Sequence, residues 1–396
     1  MPIFRTNPVA AAGPMRSRRK MLRDAFGLAG TMVIGSRTEA ADYRPVRCSA
    51  RAPYSGAPLH PPVDAVELTA IPDRPLPAAT MALLDAAFAR LKDYTAAPAL
   101  SAAVACPGVG LWHRQSTQPE RPILWWASVG KAFTATVVLQ LVQEAKLSLD
   151  APVSKWVEGV PNGHIVTVRD LLAHTSGLFS ANEDMVARAH PGYRDPATTL
   201  AIAGRHGAMF CPGERWRYSN TGYDVLGMIV ERIDRRPIDA AITARIIEPL
   251  GLRSMRALSP GQQARDVALP ASTQGQTMDP GWAGAAGPVV SDARDMALAW
   301  AALLDGRFLR KSLRREMTAI LYPMFDPGTY YGLGLMVFEV PDGQRTLRWI
   351  GHAGGAPGVS AIALYPPDDG AIVTVALTGK GSATACANLL LKTLRP

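Results

Sequence analysis

The sequence has few of the residues that build metal sites and disulfide scaffolds. Its 396 residues include only four cysteines and seven histidines, and no two histidines stand in an H-x-x-x-H pattern. The spacings are not typical of zinc, and four cysteines in a chain of this length are not a disulfide framework. We therefore expect no metal and no organic cofactor. Three ways of pairing Cys48, Cys106, Cys211 and Cys386 remain open.

An excess of charge of one sign is also missing from most of the chain. The net charge is +9, but residues 1–40 hold seven lysines and arginines against two acidic residues, and the remaining 35 basic and 31 acidic residues give +4. No basic helix is interleaved with aromatic residues, so we expect no nucleic-acid partner. With 48% hydrophobic residues, the chain is apolar enough to bury a large core.

No hydrophobic run near the start of the chain is long enough to span a bilayer. The apolar run 25–35 follows a basic segment that contains the pair Arg18-Arg19, and small residues stand near position 40. This arrangement resembles a twin-arginine export signal. We expect residues 1–41 to be that signal and the protein to be exported to the periplasm, with no stable membrane span. The alternative is a basic amphipathic helix that stays in the cytoplasm.

What the sequence does contain is a serine and a lysine one helical turn apart, Ser128 and Lys131. Positions i and i+3 share a helix face, and residues 128–144 are apolar on most sides, as in a buried helix. Desolvation lowers the pKa of a buried lysine, so its amine can take the proton of the serine. The pattern S-x-x-K is weak alone, because an N-cap serine followed by a surface lysine gives the same letters.

A second motif, Tyr218-Ser219-Asn220, stands about ninety residues later, just before a helix predicted at 221–233. In an extended stretch, Tyr218 and Asn220 point to the same side. A phenol beside a lysine ammonium or a helix N-terminus loses its proton more easily, which makes Tyr218 a candidate general base. Asn220 can offer its amide to a substrate carbonyl. The alternative is that Asn220 only caps the helix and Tyr218 only packs.

Further motifs agree with these two in order and spacing. They are VTVRDLLAHTSGL at 166–178, FCPGERWRYSNTG at 210–222, AGPVVSDARDM at 286–296, YGLGL at 331–335 and GHAGGAPG at 351–358. Over residues 80–396 the chain resembles the serine β-lactamase and DD-peptidase (penicillin-binding) superfamily, in particular its class C β-lactamase branch with the family VIII-type esterases. The resemblance implies a β-lactamase/transpeptidase-like fold. In the HTSGL stretch we expect His174 to be a structural hydrogen-bonding residue.

The third motif of the superfamily, Lys-Thr-Gly or a variant, corresponds to His352-Ala353-Gly354. In the family, the first two residues of this triplet hold the substrate's carboxylate through a positive charge and a hydroxyl. His352 is mostly neutral at pH 7 and Ala353 has no hydroxyl, so we expect neutral substrates to be preferred. We also expect protonation of His352 near pH 6 to supply part of the missing charge. The resemblance assigns the oxyanion hole to the N–H groups of Ser128 and Gly355.

The order of the predicted elements indicates an α+β fold, in which an antiparallel sheet is flanked by helices and joined to a helical lobe. We predict helices at 81–91, 128–144, 221–233, 293–304 and 383–394, a hairpin at 100–105 and 110–112, and strands at 346–353, 359–365 and 371–377. The α/β lobe is expected from residues 80–127 and 290–396, and the helical lobe from 128–289, with the site between them. Residues 42–79, which contain eight prolines, are an expected extended surface linker.

These residues together predict a periplasmic serine hydrolase that forms an acyl-enzyme. Ser128 attacks, Lys131 and Tyr218 move the proton, and Asn220 orients the substrate. The favoured activity is that of an esterase or amidase on a small molecule or a peptide. The alternatives are a DD-carboxypeptidase or β-lactamase, and a penicillin-binding-type protein that binds without turnover. The sequence names neither the substrate nor the oligomeric state.

Overall fold

The computed structural model describes residues 45–272 and 278–395. The expected export signal, residues 1–41, lies outside the described residues. Within them, no helix is long and apolar enough to cross a membrane. The same residues contain no group of three or more His, Cys, Asp or Glu side chains that could hold a metal ion.

The core of the molecule is an eight-stranded antiparallel sheet in the order β2-β1-β11-β10-β9-β8-β7-β6. Its strands are β1 (Leu100–Cys106), β2 (Gly110–Ser116), β6 (Tyr322–Pro323), β7 (Thr329–Tyr331), β8 (Met336–Asp342), β9 (Arg345–Ala356), β10 (Val359–Tyr365) and β11 (Ile372–Thr378). A second sheet of three short strands consists of β3 (Leu124–Trp125), β5 (Val289–Ser291) and β4 (Arg256–Ala257). The strands of the large sheet come from two parts of the chain separated by about two hundred residues, as the order of the predicted elements indicated.

Eleven α-helices lie within the described residues. They are α1 (Ala78–Thr95), α2 (Gly130–Gln143), α3 (Val168–Ala173), α4 (Met185–Ala189), α5 (Pro196–His206), α6 (Asn220–Asp234), α7 (Ile238–Ile242), α8 (Glu248–Leu250), α9 (Ala293–Leu304), α10 (Lys311–Glu316) and α11 (Ala383–Leu394). The helices predicted at 293–304 and 383–394 form over those residues, and the one predicted at 221–233 is α6.

Apolar side chains cover both faces of the large sheet, because helices pack on each. Alternate residues of a strand point to opposite faces. One set, with Ala102 and Val104 of β1, packs against α1 and α11. The other set, with Ala103, joins the larger cluster that contains α2, α6 and α9. The helices α2, α6 and α9 are therefore packed on the face of the sheet to which Ala103 points.

The sequence did not predict every strand. The short strands β6 and β7 and the longer β8 were not expected, and the small sheet was not either. Strand β8 pairs with β9 from Met336–Gly351 to Asp342–Arg345. It contains Pro341, a residue that disfavours a strand assignment from sequence. Two- and three-residue strands carry no periodic pattern, so tertiary pairing alone defines them.

The proline-rich residues 45–77 form no helix and no regular strand, and they are docked to the rest of the molecule along their length. We call this segment the strap. The backbone N–H groups of Val46, Ala52 and Ser55 donate to the carbonyls of residues 208, 212 and 214. Further along, Val63 and Leu76 are buried. The strap is therefore held in place at its ends and in its middle.

A disulfide ties the strap to the helical part of the chain. Cys48 bonds to Cys211, with their Cα atoms 5.8 Å apart, whereas Cys106 and Cys386 are free. Arg51 of the strap also pairs with the buried carboxylate of Asp170 at the start of α3. The sequence left three pairings open. The structure contains the Cys48–Cys211 bond of one of them, without the second bond between Cys106 and Cys386.

Candidate active site

Ser128 lies where a 3₁₀ turn, Ala127–Val129, leads into α2. The turn is held tightly against strand β9. A Cβ on Gly354 would clash with the Trp126 carbonyl and lie 3.0 Å from Ser128 N. Glycine at position 354 therefore lets the strand pass directly beside the nucleophile candidate. Ser128 itself is half-buried, whereas Lys131, one turn later, is completely buried.

The amine of Lys131 has three polar partners. Its Nζ lies 3.1 Å from Ser128 Oγ, 2.7 Å from Asn220 Oδ1 and 2.7 Å from the carbonyl oxygen of Ala286. The last two oxygens can only accept hydrogen bonds. A neutral amine has two N–H groups and one lone pair, so it donates both protons to these oxygens and turns its lone pair to Ser128. This is the arrangement that a base for the serine proton needs.

Burial sets the charge of this lysine. Desolvation lowers the pKa of Lys131 to about 7, and the negative charge of Asp224 opposes that change. Asp224 is itself nearly buried and accepts a hydrogen bond from Thr199 Oγ1 at 3.1 Å. Burial raises the pKa of Asp224 to about 7. The Lys131 amine is therefore neutral in a sizeable fraction of the molecules at physiological pH. The sequence motifs gave no sign that the charge of Asp224 acts on this amine.

Tyr218 contacts the same serine. Its hydroxyl donates to Ser128 Oγ at 2.9 Å, and the Lys131 amine lies 4.8 Å from the centre of the phenol ring. Burial raises the pKa of Tyr218 well above its ordinary value, and the hydrogen bond to Ser128 offsets only part of this. The expectation that nearby positive charge lets Tyr218 lose its proton more easily is therefore wrong, because burial has the larger effect on its pKa. Tyr218 is protonated, and Lys131 is the better base.

Asn220 does not cap helix α6. Ser219 is the N-cap, and its Oγ accepts from the N–H of Gly222 at 3.3 Å. The Asn220 side chain accepts from Lys131 through Oδ1 and donates to Asn182 Oδ1 at 3.2 Å through Nδ2. The alternative that Asn220 only caps the helix is thus wrong, and the residue belongs to the cluster around Ser128.

The loop of the HTSGL motif supports the Tyr218 segment from behind. Arg217 N–H donates to the His174 carbonyl at 2.9 Å, and Ser219 N–H donates to His174 Nδ1 at 3.2 Å. The N–H of Asn220 donates to Ser180 Oγ at 3.2 Å. His174 is a structural hydrogen-bonding residue, as expected, and it lies directly against Tyr218, with ring centroids 4.2 Å apart. Sequence reasoning missed this contact.

His352 lies beneath the site and is completely buried. Its Nδ1 is 2.7 Å from the Ala353 carbonyl oxygen, so Nδ1 carries the proton and Nε2 accepts from the Tyr331 hydroxyl at 3.1 Å. Burial, with the charge of Lys131, lowers the pKa of His352 to about 3. The expectation that His352 becomes charged near pH 6 and holds a carboxylate is therefore wrong.

Ala353 also differs from its expected role in substrate binding. Its side chain packs with the apolar layer beneath α1 and α11, on the face of β9 opposite to the one that Gly354 presents to Ser128. Its N–H donates to Met336 Sδ at 3.4 Å. The contribution of position 353 to the site is therefore through its backbone, with the methyl group turned away.

The oxyanion assignment of Gly355 stays a prediction, and it concerns the backbone N–H of this residue on β9. The pairing of β9 with β8 ends at Gly351, and no other strand of the described residues pairs with the rest of that edge of β9. Alternate N–H groups of an antiparallel strand leave it on the same side. Because the N–H of Ala353 points to this edge, the N–H of Gly355 does too. It is free of the ladder with β10 and lies next to the turn that holds Ser128.

Aromatic side chains form one wall of the site. Trp216 lies 6.4 Å from Tyr218 between ring centroids, and Phe325, in the loop between β6 and β7, packs edge-to-face on Trp216 at 5.2 Å. Phe325 is 60% exposed although it is large and apolar. An apolar surface thus continues from the phenol at Ser128 out to solvent.

A serine that faces a buried lysine and a tyrosine, on an antiparallel sheet with a helical lobe, defines the class of β-lactamase-related serine hydrolases. The family model described as Beta-lactamase matches residues 84–394. The chain belongs to this family. Its fold is the β-lactamase/transpeptidase-like fold that the resemblance implied.

Solved structures of similar fold include two amide hydrolases. A D-stereospecific amidohydrolase from Streptomyces sp. is 33% identical, with a TM-score of 0.66 over 79% of this chain and 97% of that one. The D-amino acid amidase from Ochrobactrum anthropi SV3 is 26% identical, with a TM-score of 0.68 over 80% of this chain and 97% of that one. A penicillin-binding protein from Bacillus halodurans, at 22% identity and a TM-score of 0.64, shares the fold.

Two relatives were found by sequence over shorter stretches. Esterase EstB of Burkholderia gladioli is 35% identical over 162 residues, which are 36% of this chain and 41% of EstB. Protein flp of Staphylococcus aureus (strain MW2) is 34% identical over 158 residues, 38% of this chain and 31% of that protein. The matched stretches thus span less than half the length of these relatives.

Proposed function

We propose that the protein is a serine hydrolase that acts through a covalent acyl-enzyme on neutral ester or amide substrates. The convergence of Lys131 Nζ and Tyr218 OH on Ser128 Oγ, at 3.1 and 2.9 Å, is the observation that carries this proposal. One group can take the serine proton while the other donates a hydrogen bond to the same oxygen. An N-cap serine with a surface lysine would show neither contact.

The proposed first step forms the acyl-enzyme. The neutral amine of Lys131 takes the proton of Ser128 as Oγ bonds to the substrate carbonyl carbon. The N–H groups of Ser128 and Gly355 hold the oxygen on which negative charge develops. When the bond to the alcohol or amine breaks, that group needs a proton, and the Tyr218 hydroxyl is the donor beside it. Asn220 keeps the lysine in place and offers its amide to the substrate.

Water then completes the reaction. It attacks the acyl carbon, gives one proton to the base, and releases the acid, while Ser128 Oγ regains a proton. The same pair, Lys131 and Tyr218, serves this step in reverse order. Each cycle therefore consumes one water molecule and needs no other reactant.

The surroundings of the serine support neutral substrates. His352 is neutral and buried, and the methyl group of Ala353 is turned away, so neither supplies charge to a carboxylate. The exposed ring of Phe325 next to Trp216 offers apolar surface instead. The names of the relatives, an esterase and two amide hydrolases of D-stereospecific or D-amino acid type, fit ester and amide substrates.

Labelling with a fluorophosphonate tests the nucleophile. Intact-mass and peptide mass spectrometry should find one adduct, on the peptide that contains Ser128. The variant Ser128→Ala should take up no label and lose about 10³-fold or more in kcat/KM. A second labelled serine, or an active Ser128→Ala protein, contradicts the mechanism.

A substrate panel tests the rest of the proposal. Nitrophenyl esters and D-amino acid amides should be turned over faster than a chromogenic cephalosporin or a D-Ala-D-Ala peptide, because an unmade charged hydrogen bond costs about 1–3 kcal/mol. Faster turnover of the cephalosporin favours the β-lactamase alternative. A burst of product without steady turnover favours a binding protein.

We further propose that the protein acts in the periplasm. The twin-arginine-like pair Arg18-Arg19 supports export. The disulfide between Cys48 and Cys211 also supports it, because disulfides persist in oxidising compartments.

A further inference from the structure

His174 occupies a backbone conformation that a histidine rarely adopts. It ends helix α3 with φ +62° and ψ +33°, in the left-handed region, and it is 1% exposed. Glycine is the usual residue at this position of a helix end, since it has no Cβ. A side chain kept at such a site is a reason to look for a task that the side chain performs.

The hydrogen bonds of His174 enclose one residue. Its carbonyl accepts from Arg217 N–H at 2.9 Å, and its Nδ1 accepts from Ser219 N–H at 3.2 Å. Tyr218 stands between these two N–H groups. The backbone on both sides of the phenol is thus fixed to the same histidine, once through its main chain and once through its ring.

The ring of His174 also packs on the phenol. The centroids of His174 and Tyr218 are 4.2 Å apart with an interplanar angle of 36°, and the ring of Tyr331 also lies against the imidazole, at 4.6 Å between centroids. The imidazole is therefore in contact with the group that donates to Ser128. It does not itself touch Ser128, which makes it a positioning residue.

The hydrogen bond to Ser219 defines the state of the ring. Because Nδ1 accepts, the proton of the neutral imidazole is on Nε2, and that atom has no hydrogen-bond partner among the described residues. A cationic ring would direct Nδ1–H at the N–H of Ser219. Burial and the positive charge of Lys131 likewise lower the pKa of His174 well below its ordinary value.

We propose that His174 is a positioning residue for the reaction, which holds the Tyr218 hydroxyl on Ser128 through the acceptor Nδ1. The proposal rests on the proposed function, because it gives Tyr218 a task in acyl transfer. Losing the acceptor frees the backbone at Ser219 and lets the phenol move. A displacement of about 1 Å in such a group costs on the order of 100-fold in rate.

Three substitutions separate the roles of the backbone and of the ring. His174→Asn keeps an acceptor near the position of Nδ1 and tolerates left-handed backbone. His174→Gly removes the acceptor, the ring and the backbone strain together, whereas His174→Leu removes the acceptor and the ring but keeps a side chain in the left-handed conformation. We expect the rate of fluorophosphonate labelling of Ser128 to fall about 10–100-fold in the Gly and Leu variants. In the Asn variant it should stay within about 5-fold of the parent.

The decisive comparison repeats His174→Leu in a Tyr218→Phe background. If His174 acts through the phenol, the substitution should have little further effect there. His113→Leu is the matched control. His113 lies on strand β2, with its Nε2 3.1 Å from Ser101 Oγ of strand β1, and the variant should label within about 2-fold of the parent. All variants are compared by thermal unfolding.

Nuclear magnetic resonance of the ¹⁵N-histidine-labelled parent gives a readout without activity. The His174 signal should show protonated Nε2 and bare Nδ1 from pH 6 to 9. A protonated Nδ1 overturns the proposal. So does a loss of labelling rate from His174→Leu that is equal in the parent and in Tyr218→Phe. A fully active His174→Gly, or a His174→Asn as slow as His174→Leu, overturns it as well. If the parent itself takes no label at Ser128, the proposed function fails instead.

Discussion

The buried amine of Lys131 makes both activity and stability depend on pH. Its pKa of about 7 compares with 10.5 for an exposed lysine. The apolar positions of α2 were enough to predict its burial, because that helix has almost no polar face. The sequence did not reveal Asp224, which lies ninety-three positions away and whose charge acts on the same amine.

The first prediction concerns the pH profile of kcat/KM. Only the neutral amine can accept the serine proton, so activity should rise as the pH increases through about 7 and then level off. Asp224→Asn removes a charge that raises the pKa of Lys131, and should move the midpoint to lower pH. Asp239→Asn, at a similarly buried aspartate bonded to Ser259, is the control. A midpoint that Asp224→Asn does not move would assign the profile to another group.

The second prediction concerns stability. A lysine whose pKa falls from 10.5 in the unfolded chain to about 7 in the fold destabilises the fold below pH 7 and ceases to do so above pH 10.5. This pKa shift lowers the free energy of unfolding by roughly 5 kcal/mol at most. Replacing the lysine recovers less than this, because Asn220 Oδ1 and the Ala286 carbonyl then lose a hydrogen bond. Lys131→Met should therefore raise the free energy of unfolding at pH 6 by a few kcal/mol.

Urea unfolding at several pH values measures this effect. The advantage of Lys131→Met over the parent should shrink steadily between pH 7 and pH 10. A gain independent of pH would mean that the methionine packs better and that the charge of the lysine is not the cause.

At the scale of elements, capping and periodicity made some boundaries predictable. Helices α9 and α11 begin directly after Asp292 and Ser382, and the side chains of those residues accept from the N–H groups of Asp295 and Ala385. The linear motifs likewise placed Ser128, Lys131, Tyr218 and Asn220 in one site. The charge states of Tyr218 and His352 were not predictable, because segments far apart in the sequence bury them.

The third prediction concerns the strap. The disulfide joins residues with a sequence separation of 163. By restricting the unfolded chain, it is expected to raise the free energy of unfolding by about 5 kcal/mol. Cys48→Ser should therefore lower Tm, and a reducing agent should lower Tm of the parent but not of the variant. Cys106→Ser, at a free thiol, is the control.

The disulfide should also affect the site. Residues 208–214, to which the strap is bonded, lead directly into Tyr218. We expect the labelling rate of Ser128 in Cys48→Ser to fall several-fold at temperatures where the variant is still folded. An unchanged rate would make the disulfide a matter of stability alone.

At the scale of the whole molecule, the fold was predictable because motifs from distant parts of the chain stood in the order of one superfamily. No local pattern would have joined β1 to β11.

The fourth prediction is that the export of the molecule depends on a pair of arginines. Replacing Arg18 and Arg19 by lysine keeps the charge and should leave the protein in the cytoplasm. Normal appearance of the variant in the periplasm would indicate an ordinary secretory signal, which cell fractionation can detect.

The pairing of β1 with β11 has a consequence for how the protein is made. Leu100 lies opposite Leu377, so the first hairpin waits for its neighbour until almost the whole chain has left the ribosome. Strand β9, which carries Gly354 and Gly355, is joined to β1 only through β10 and β11. Contacts between such distant residues form slowly. A polypeptide whose synthesis stops before residue 372 therefore has every side chain of the serine motif and no assembled enzyme.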